Sequence, residues 1–186
     1  MIHTGMRPSE TRALTWNDID FTTGNIHITK GIKYVPGVGM YLDETKTDGS
    51  TRTLELNPNS EVFLVFAGMR TKRAEDLLAV GEKINGDSYI FSHIDGTPWG
   101  DTKTGNGLRK AIQDSGVDMK NDWRLLRHLH ATISLLIGEP IHDVSRRLGH
   151  ANIQITLMHY ADIISSSQRS ASDNLSKVLE QVEVMS

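Results

Sequence analysis

Arg7, Arg124, Arg127, His150 and Tyr160, with Lys46 as an isolated companion, are the residues whose types and order suit chemistry on a phosphodiester. Arg7 lies in T-G-M-R-P-S-E. Arg124 and Arg127 lie in R-L-L-R-H-L-H-A-T, His150 closes R-R-L-G-H, and Tyr160 closes T-L-M-H-Y. A phosphodiester under attack spreads negative charge over its oxygens, so its transition state calls for fixed cations aimed at them. Arginine meets that need with a planar fork that donates two hydrogen bonds and stays charged. A tyrosine hydroxyl can attack and form a covalent intermediate, dividing one hard step into two. The departing sugar oxygen needs a proton, which a lysine can provide.

The elements that must hold these residues can be read from local pattern. Pro8-Ser9-Glu10 followed by Thr11 to Leu14 marks a helix start, with Arg7 just at its N-terminus. Asn25 to Thr29 alternates and is β-branched, as a strand requires. Gly31 to Gly39 is glycine-rich and reads as bending a ribbon or loop. Glu44 to Thr47 runs into the turn pair Asp48-Gly49, with Arg52 to Leu56 as the returning strand. The pattern gives a small antiparallel sheet of about three strands. Helices are expected over Ser60–Val80, with a break near Gly68, and over Thr104–Asp114, His128–Ile137, Ile141–Leu148 and Ile153–Tyr160. A last helix is expected from about Ser170 to Val184, where Leu175, Val178, Leu179 and Val182 form an apolar stripe. The fold class is therefore mainly α with a small antiparallel β-sheet, that is, α+β.

Composition narrows the classes. At 186 residues the chain is long enough for one domain with a substantial core. It has no cysteine, which excludes disulfides, thiolate metal sites and cysteine nucleophiles, and is compatible with a reducing cytoplasm. No apolar run is long enough to span a membrane, and the N-terminus lacks the pattern of a signal peptide. The net charge of −3 is unusual for a nucleic-acid binder, but its distribution is uneven. Arg109, Lys110, Lys120, Arg124, Arg127, Arg146 and Arg147 are concentrated between residues 109 and 147, while Glu180 and Glu183 lie in the tail. A groove that attracts phosphate depends on that asymmetry more than on the sum.

The motifs together resemble the catalytic domain of the tyrosine recombinases, or phage-type integrases. T-G-M-R-P-S-E resembles the family's first arginine box and L-L-R-H-L-H-A-T its second, with L-G-H at 148–150 as the third. T-L-M-H-Y puts Tyr160 at the nucleophile position, and E-T-K-T-D-G-S-T-R-T-L-E-L resembles the hairpin that carries the family's lysine, here Lys46. The boxes follow one another in the family's order over nearly the whole chain. The resemblance implies recombination of double-stranded DNA at an attachment or recombination site, with neither metal nor cofactor. Tyr160 is the implied nucleophile of a 3′-phosphotyrosyl intermediate, with Arg7 and Arg127 on the phosphate, Lys46 protonating the 5′-oxygen and His150 donating to the phosphate. It implies a homotetramer on two duplexes, the isolated domain being compatible with a monomer, in the cytoplasm of a bacterial cell carrying a phage or mobile element. It also implies that residues 1–186 are a single catalytic domain without the family's N-terminal DNA-clamping domain, and that 165–186 form a tail helix.

One position departs from the pattern. The second box usually begins with histidine, and Arg124 stands there. Arginine donates to phosphate but effectively does not release its proton. Ordinary readings stand beside the chemical ones. Lys30 and Lys33 rival Lys46, Arg124 or Arg127 could pair with Asp122 or Asp143, His150 could cap a helix, and Tyr160 could be a core residue. Trp123 reads as core or groove lining, and His128, His130 and His159 read as structural because they occupy no box position. The alternatives for the whole chain are a type IB-like topoisomerase, a non-catalytic DNA-binding module of the same fold, and a protein-interaction domain working through its acidic C-terminal helix.

Overall fold

Proline at the first helical position and a glutamate three residues past the N-cap set the start of α1 (Pro8–Ala13). Glu10 reaches back to accept the Arg7 backbone N–H at 2.8 Å, satisfying a donor that the helix itself leaves unpaired. After a 3₁₀ turn at Trp16–Asp18 come β1 (Ile19–Asp20) and β2 (Asn25–Ile28), then β3 (Lys30–Val35), β4 (Gly39–Glu44) and β5 (Arg52–Glu55). The helices α2 (Glu61–Leu78), α3 (Asp101–Ser115), α4 (Trp123–Leu136) and α5 (Ile141–Leu148) follow, and residues 153–161 are helical. The computed structural model describes residues 1–44, 51–118, 120 and 122–161. Lys46, the Asp48-Gly49 turn and the tail with its apolar stripe lie outside the described residues.

The architecture is α+β, with two small antiparallel sheets. One has the order β1-β2-β5 and the other is the ribbon β3-β4. One strand expectation is resolved and one corrected. The Gly31–Gly39 stretch is a ribbon rather than a loop, because Ile32 to Val35 form a strand that pairs with β4 from Ile32↔Leu42 to Val35↔Gly39. The strand after Asp48-Gly49, β5, pairs with β2 in the register Ile26↔Leu54 and Ile28↔Arg52. Apolar alternation decides this: Ile26, Ile28 and Leu54 point into one core and are all buried.

Helix extents also differ, α3 starting at Asp101 and not Thr104. α2 runs through Gly68 unbroken. A single glycine costs only about 1 kcal/mol relative to alanine, and the buried Phe63, Phe66 and Leu77 offset it. α4 starts at Trp123, not His128, because the Asp122 carboxylate caps the Arg124 N–H at 2.9 Å.

The core has two parts. Met6, Leu14, Trp16, Ile26, Leu54 and Phe63 belong to the one built on α1, the β1-β2-β5 sheet and α2. Ala131, Leu135, Val144, Leu148 and Tyr160 form the other, from α4, α5 and segment 153–161. Among the described residues no helix is long and apolar enough to cross a membrane.

Candidate active site

The two cores meet at a turn of backbone carbonyls, and the arginines are fixed there. α5 ends in Gly149, whose φ of 67° is left-handed, a conformation glycine adopts without steric cost. Gly5, with φ 63°, makes the matching turn before α1, and a Cβ there would come within 2.6 Å of the His130 ring. These are the glycines of T-G-M-R and L-G-H. Arg7 Nη2 donates to the Gly149 carbonyl at 2.7 Å. Arg127 donates from Nη1 to the Gly5 carbonyl and from Nη2 to the Leu148 carbonyl, both at 2.7 Å. Each motif's glycine therefore offers a carbonyl to the arginine of another.

Glu10 braces the far side. It accepts Arg7 Nη1 at 2.7 Å and Arg52 through two bonds of 3.0 and 2.8 Å. Arg52 also donates from Nε to the Arg147 carbonyl at 2.6 Å, tying β5 to α5. Burial by itself would raise the Glu10 carboxyl, but the bonds and charges of Arg52 and Arg7 prevail and hold it below its ordinary value. Neither Glu10 as a brace nor Arg52 was foreseen from sequence. Glu10 stands inside the first motif, three residues after Arg7, and that spacing was its only signal. Arg52 had none.

An open cleft of about 860 Å³ has Arg7, Arg124, Arg127, His128, His150 and Tyr160 among its walls. Arg7 and Arg52 bond the buried Glu10 carboxylate, while Arg127 bonds only backbone carbonyls, so among the described residues three guanidinium groups stand near one carboxylate and positive charge is in excess. Arg127 records the imbalance: burial first, and then repulsion from Arg7, lower its pKa to about 10. Burial and the positive charges of Arg127 and Arg7 push His150 down to about 4. Its Nδ1 lies 2.7 Å from the Thr156 hydroxyl. With the hydroxyl donating, the ring proton resides on Nε2, free to bond an anion.

A pH dependence follows. The folded pKa of His150 is below its ordinary 6.5, so the unfolded chain takes up the proton first. The stability carried by neutral His150 is present above pH 6.5 and is lost as pH falls from there to about 4. Binding of an anion should raise the pKa. NMR titration of the His150 ring is expected to give a midpoint near 4 in the free protein and a higher one with inorganic phosphate. An ordinary midpoint that phosphate leaves unmoved would contradict this charge balance.

Tyr160 is buried in the second core, and its hydroxyl meets His128 Nδ1 at 2.8 Å. His128 therefore touches the hydroxyl singled out as the attacking group. His130 does fit its structural reading, being buried with Nδ1 2.8 Å from the Ile2 carbonyl. His159 stacks edge-on against His128 at 6.1 Å between ring centres. Trp123 lines the cleft.

Arg7, Arg127, His150 and Tyr160 are brought together. Arg124 stands apart at the rim, exposed, with Nε 3.3 Å from Asp122, so its ion-pair reading is the one observed. Lys46 lies outside the described residues. Its rivals are engaged elsewhere: Lys30 with Asp18 at 3.0 Å and Lys33 with Asp43.

The chain as a whole is similar to known proteins. The phage integrase family model matches residues 1–166. A tyrosine recombinase XerC-like protein of Caldanaerobacter subterraneus subsp. tengcongensis is 29% identical, over 92% of this chain and 46% of its own length. The ICEBs1 integrase of Bacillus subtilis is 28% identical, over 95% of this chain and 46% of its own. The chain thus spans less than half the length of these curated relatives. Among solved structures, the Tn1549 transposon integrase in complex with transposon right end DNA superposes with a TM-score of 0.72 at 26% identity, covering 94% of this chain and 56% of that one. The XerA recombinase superposes at 0.65 with 20% identity, covering 93% and 54%, a likeness of fold. The fold is that of the tyrosine recombinase catalytic domain.

Proposed function

The chain belongs to the phage integrase family, and from that membership and the site geometry we propose that it breaks and rejoins DNA through a covalent 3′-phosphotyrosyl intermediate in site-specific recombination. The observation that carries the proposal is the positive, carbonyl-pinned pair Arg7 and Arg127 in one cleft with Tyr160 and neutral His150. Arg7 and Arg127 bind the non-bridging oxygens of the scissile phosphate. His150 donates from Nε2 to the same phosphate. Tyr160 attacks phosphorus in line with the 5′-oxygen, which departs with a proton from Lys46. A 5′-hydroxyl of a partner strand later attacks the adduct and restores the diester, so bond energy is conserved. Arg124 reaches the DNA backbone from the rim by exchanging Asp122 for a phosphate. That exchange costs little, since exposed ion pairs contribute only about 0–1 kcal/mol. Double-stranded DNA is the partner, and recombination between two duplexes brings four protomers together.

The test is covalent capture. Incubated with a pool of nicked duplexes of randomised sequence, the protein is expected to yield a detergent-resistant DNA adduct whose peptide maps to Tyr160. No adduct, or one on another residue, would overturn the proposal. In the same assay Arg127→Ala is expected to slow capture by roughly 10²–10³-fold, the cost of removing one donor to a developing oxyanion. Arg127→Lys should recover little, because a lysine keeps the charge without the fork that spans two carbonyls.

A second reading, a non-catalytic DNA-binding module, draws on Arg124 standing exposed with Asp122 where the family pattern has a histidine. It expects salt-dependent binding with no adduct. A topoisomerase would form the adduct and relax supercoiled plasmid without exchanging strands between molecules.

A further inference from the structure

We propose that His128 is the proton acceptor for Tyr160, a catalytic residue of the strand-cleavage step. The inference rests on the proposed reading that Tyr160 is the nucleophile. The phenol faces a specific difficulty. Burial raises its pKa above the ordinary value, with Arg127 opposing. At neutral pH it is therefore protonated, and attack requires a base. Arg124 is not one, because a guanidinium holds its proton. His150 is turned to another task, with Nδ1 on Thr156 at 2.7 Å. His128 is in contact: its Nδ1 lies 2.8 Å from Tyr160 Oη, within the reach general-base transfer demands.

Position on the helix supports the role. His128 is one turn beyond Arg124 on α4, so both side chains share a face, and both line the cleft that holds Tyr160. Among the described residues, few titratable or charged groups surround His128. Asp122 and Arg124 come from the start of α4, with Asp122 close enough for its own pKa to be lowered in part by the His128 charge. Arg127 precedes it on the helix. His159 and Tyr160 face it from segment 153–161, with ring centres 6.1 and 5.9 Å away.

The step balances. Neutral His128, with its proton on Nε2, accepts the Tyr160 hydroxyl proton at Nδ1 as the Oη–H bond breaks. The Oη–phosphorus bond forms while the phosphorus–O5′ bond breaks, and the electron pair leaves on O5′ to take the proton supplied by Lys46. In rejoining, imidazolium His128 returns its proton to Tyr160 as the phenolate departs.

The test uses the full chain and nicked duplexes captured by the wild-type protein from a randomised-sequence pool. Wild type is expected to show single-turnover adduct formation that falls on the acid side, as a step needing a free base requires. His128→Gln is expected to lose that acid limb and to react roughly 10²–10⁴-fold more slowly, the usual span of general acid–base catalysis, while melting normally and binding DNA as before. A substrate with sulfur in place of the bridging 5′-oxygen leaves without a proton. It is expected to leave the His128→Gln defect in place, because the defect is on the attacking side. If His128→Gln keeps the wild-type rate, or slows but retains the acid limb, the role is overturned while adduct on Tyr160 still upholds the broader reading. If wild type forms no Tyr160 adduct, both fall. A DNA-free arm guards against a misfolded variant: nitrogen NMR of wild-type His128 is expected to find the proton on Nε2. A proton on Nδ1 would reverse the hydrogen bond and also overturn the role.

Discussion

A Tyr160→Phe protein is expected to bind DNA and form no covalent adduct at any time or pH. Under the proposed reaction no other group in the cleft replaces the lost nucleophile. The substitution is conservative in every other respect. The phenyl ring keeps its place in the core beside Ala131, Leu135, Val144 and Leu148. Only the hydroxyl is removed, and with it a hydrogen bond to an exposed histidine. The stability lost is about 1 kcal/mol, the net worth of such a bond, and water can serve the freed His128 nitrogen. Arg7, Arg52 and Arg127 are untouched, so the charge that attracts phosphate remains. Binding by salt-titrated gel shift and capture by denaturing gel separate the effects. An adduct formed by the phenylalanine variant would remove Tyr160 from the reaction.

Glu10→Ala is expected to be the most destabilising of the single changes considered. The carboxylate and its Arg52 partner are both almost wholly buried, with side chains 3% and 5% exposed. Removing one partner of a buried pair leaves an uncompensated charge, which costs about 3–5 kcal/mol. Here two guanidinium groups lose their acceptor, and Arg7 also loses one of the two anchors of its head group. In a domain of this size each kcal/mol lowers the melting temperature by roughly 2–4 °C, so the shift should be unmistakable. Glu10→Gln still accepts hydrogen bonds and should be milder. The control is Asp143→Ala. Asp143 also pairs with an arginine, at 2.7 Å, but the Arg146 side chain is 81% exposed, so the change should stay within about 1 kcal/mol. Equal losses for Glu10→Ala and Asp143→Ala would refute the brace. Acid should act on the same group. The Glu10 pKa is depressed in the fold, so its stabilisation is complete above the ordinary carboxylate range and is lost as pH falls through the lowered value.

Much of this protein is written locally. α5 occupies Ile141–Leu148 as its pattern requires, because an apolar face, basic residues in the last turn and a glycine C-cap all act within one short segment. β2 and α1 were legible for the same reason. The chemical residues were legible through short motifs: a glycine turn stands beside Arg7 in T-G-M-R and beside His150 in L-G-H, while Arg127 and Tyr160 sit in motifs of helical pattern. Order along the chain was then enough to assemble Arg7, Arg127, His150 and Tyr160 as one set.

Tertiary structure decided which groups those residues touch. Arg7 and its Gly149 acceptor are separated by 142 residues, and Arg127 and Gly5 by 122. A bond between groups so far apart leaves no periodic trace in either segment, since only folding brings the carbonyl to the guanidinium. The pairing of β5 with β2 depends on burial of Ile26, Ile28 and Leu54 on one face, where turn propensity alone favoured the preceding segment. Arg124 faces solvent because Asp122 caps its backbone and holds its side chain at the rim. The sequence determined which residues could do the chemistry. Only packing of segment 153–161 onto α4 put His128 against the Tyr160 hydroxyl, because a hydrogen bond between elements is fixed by their docking and not by the spacing within either.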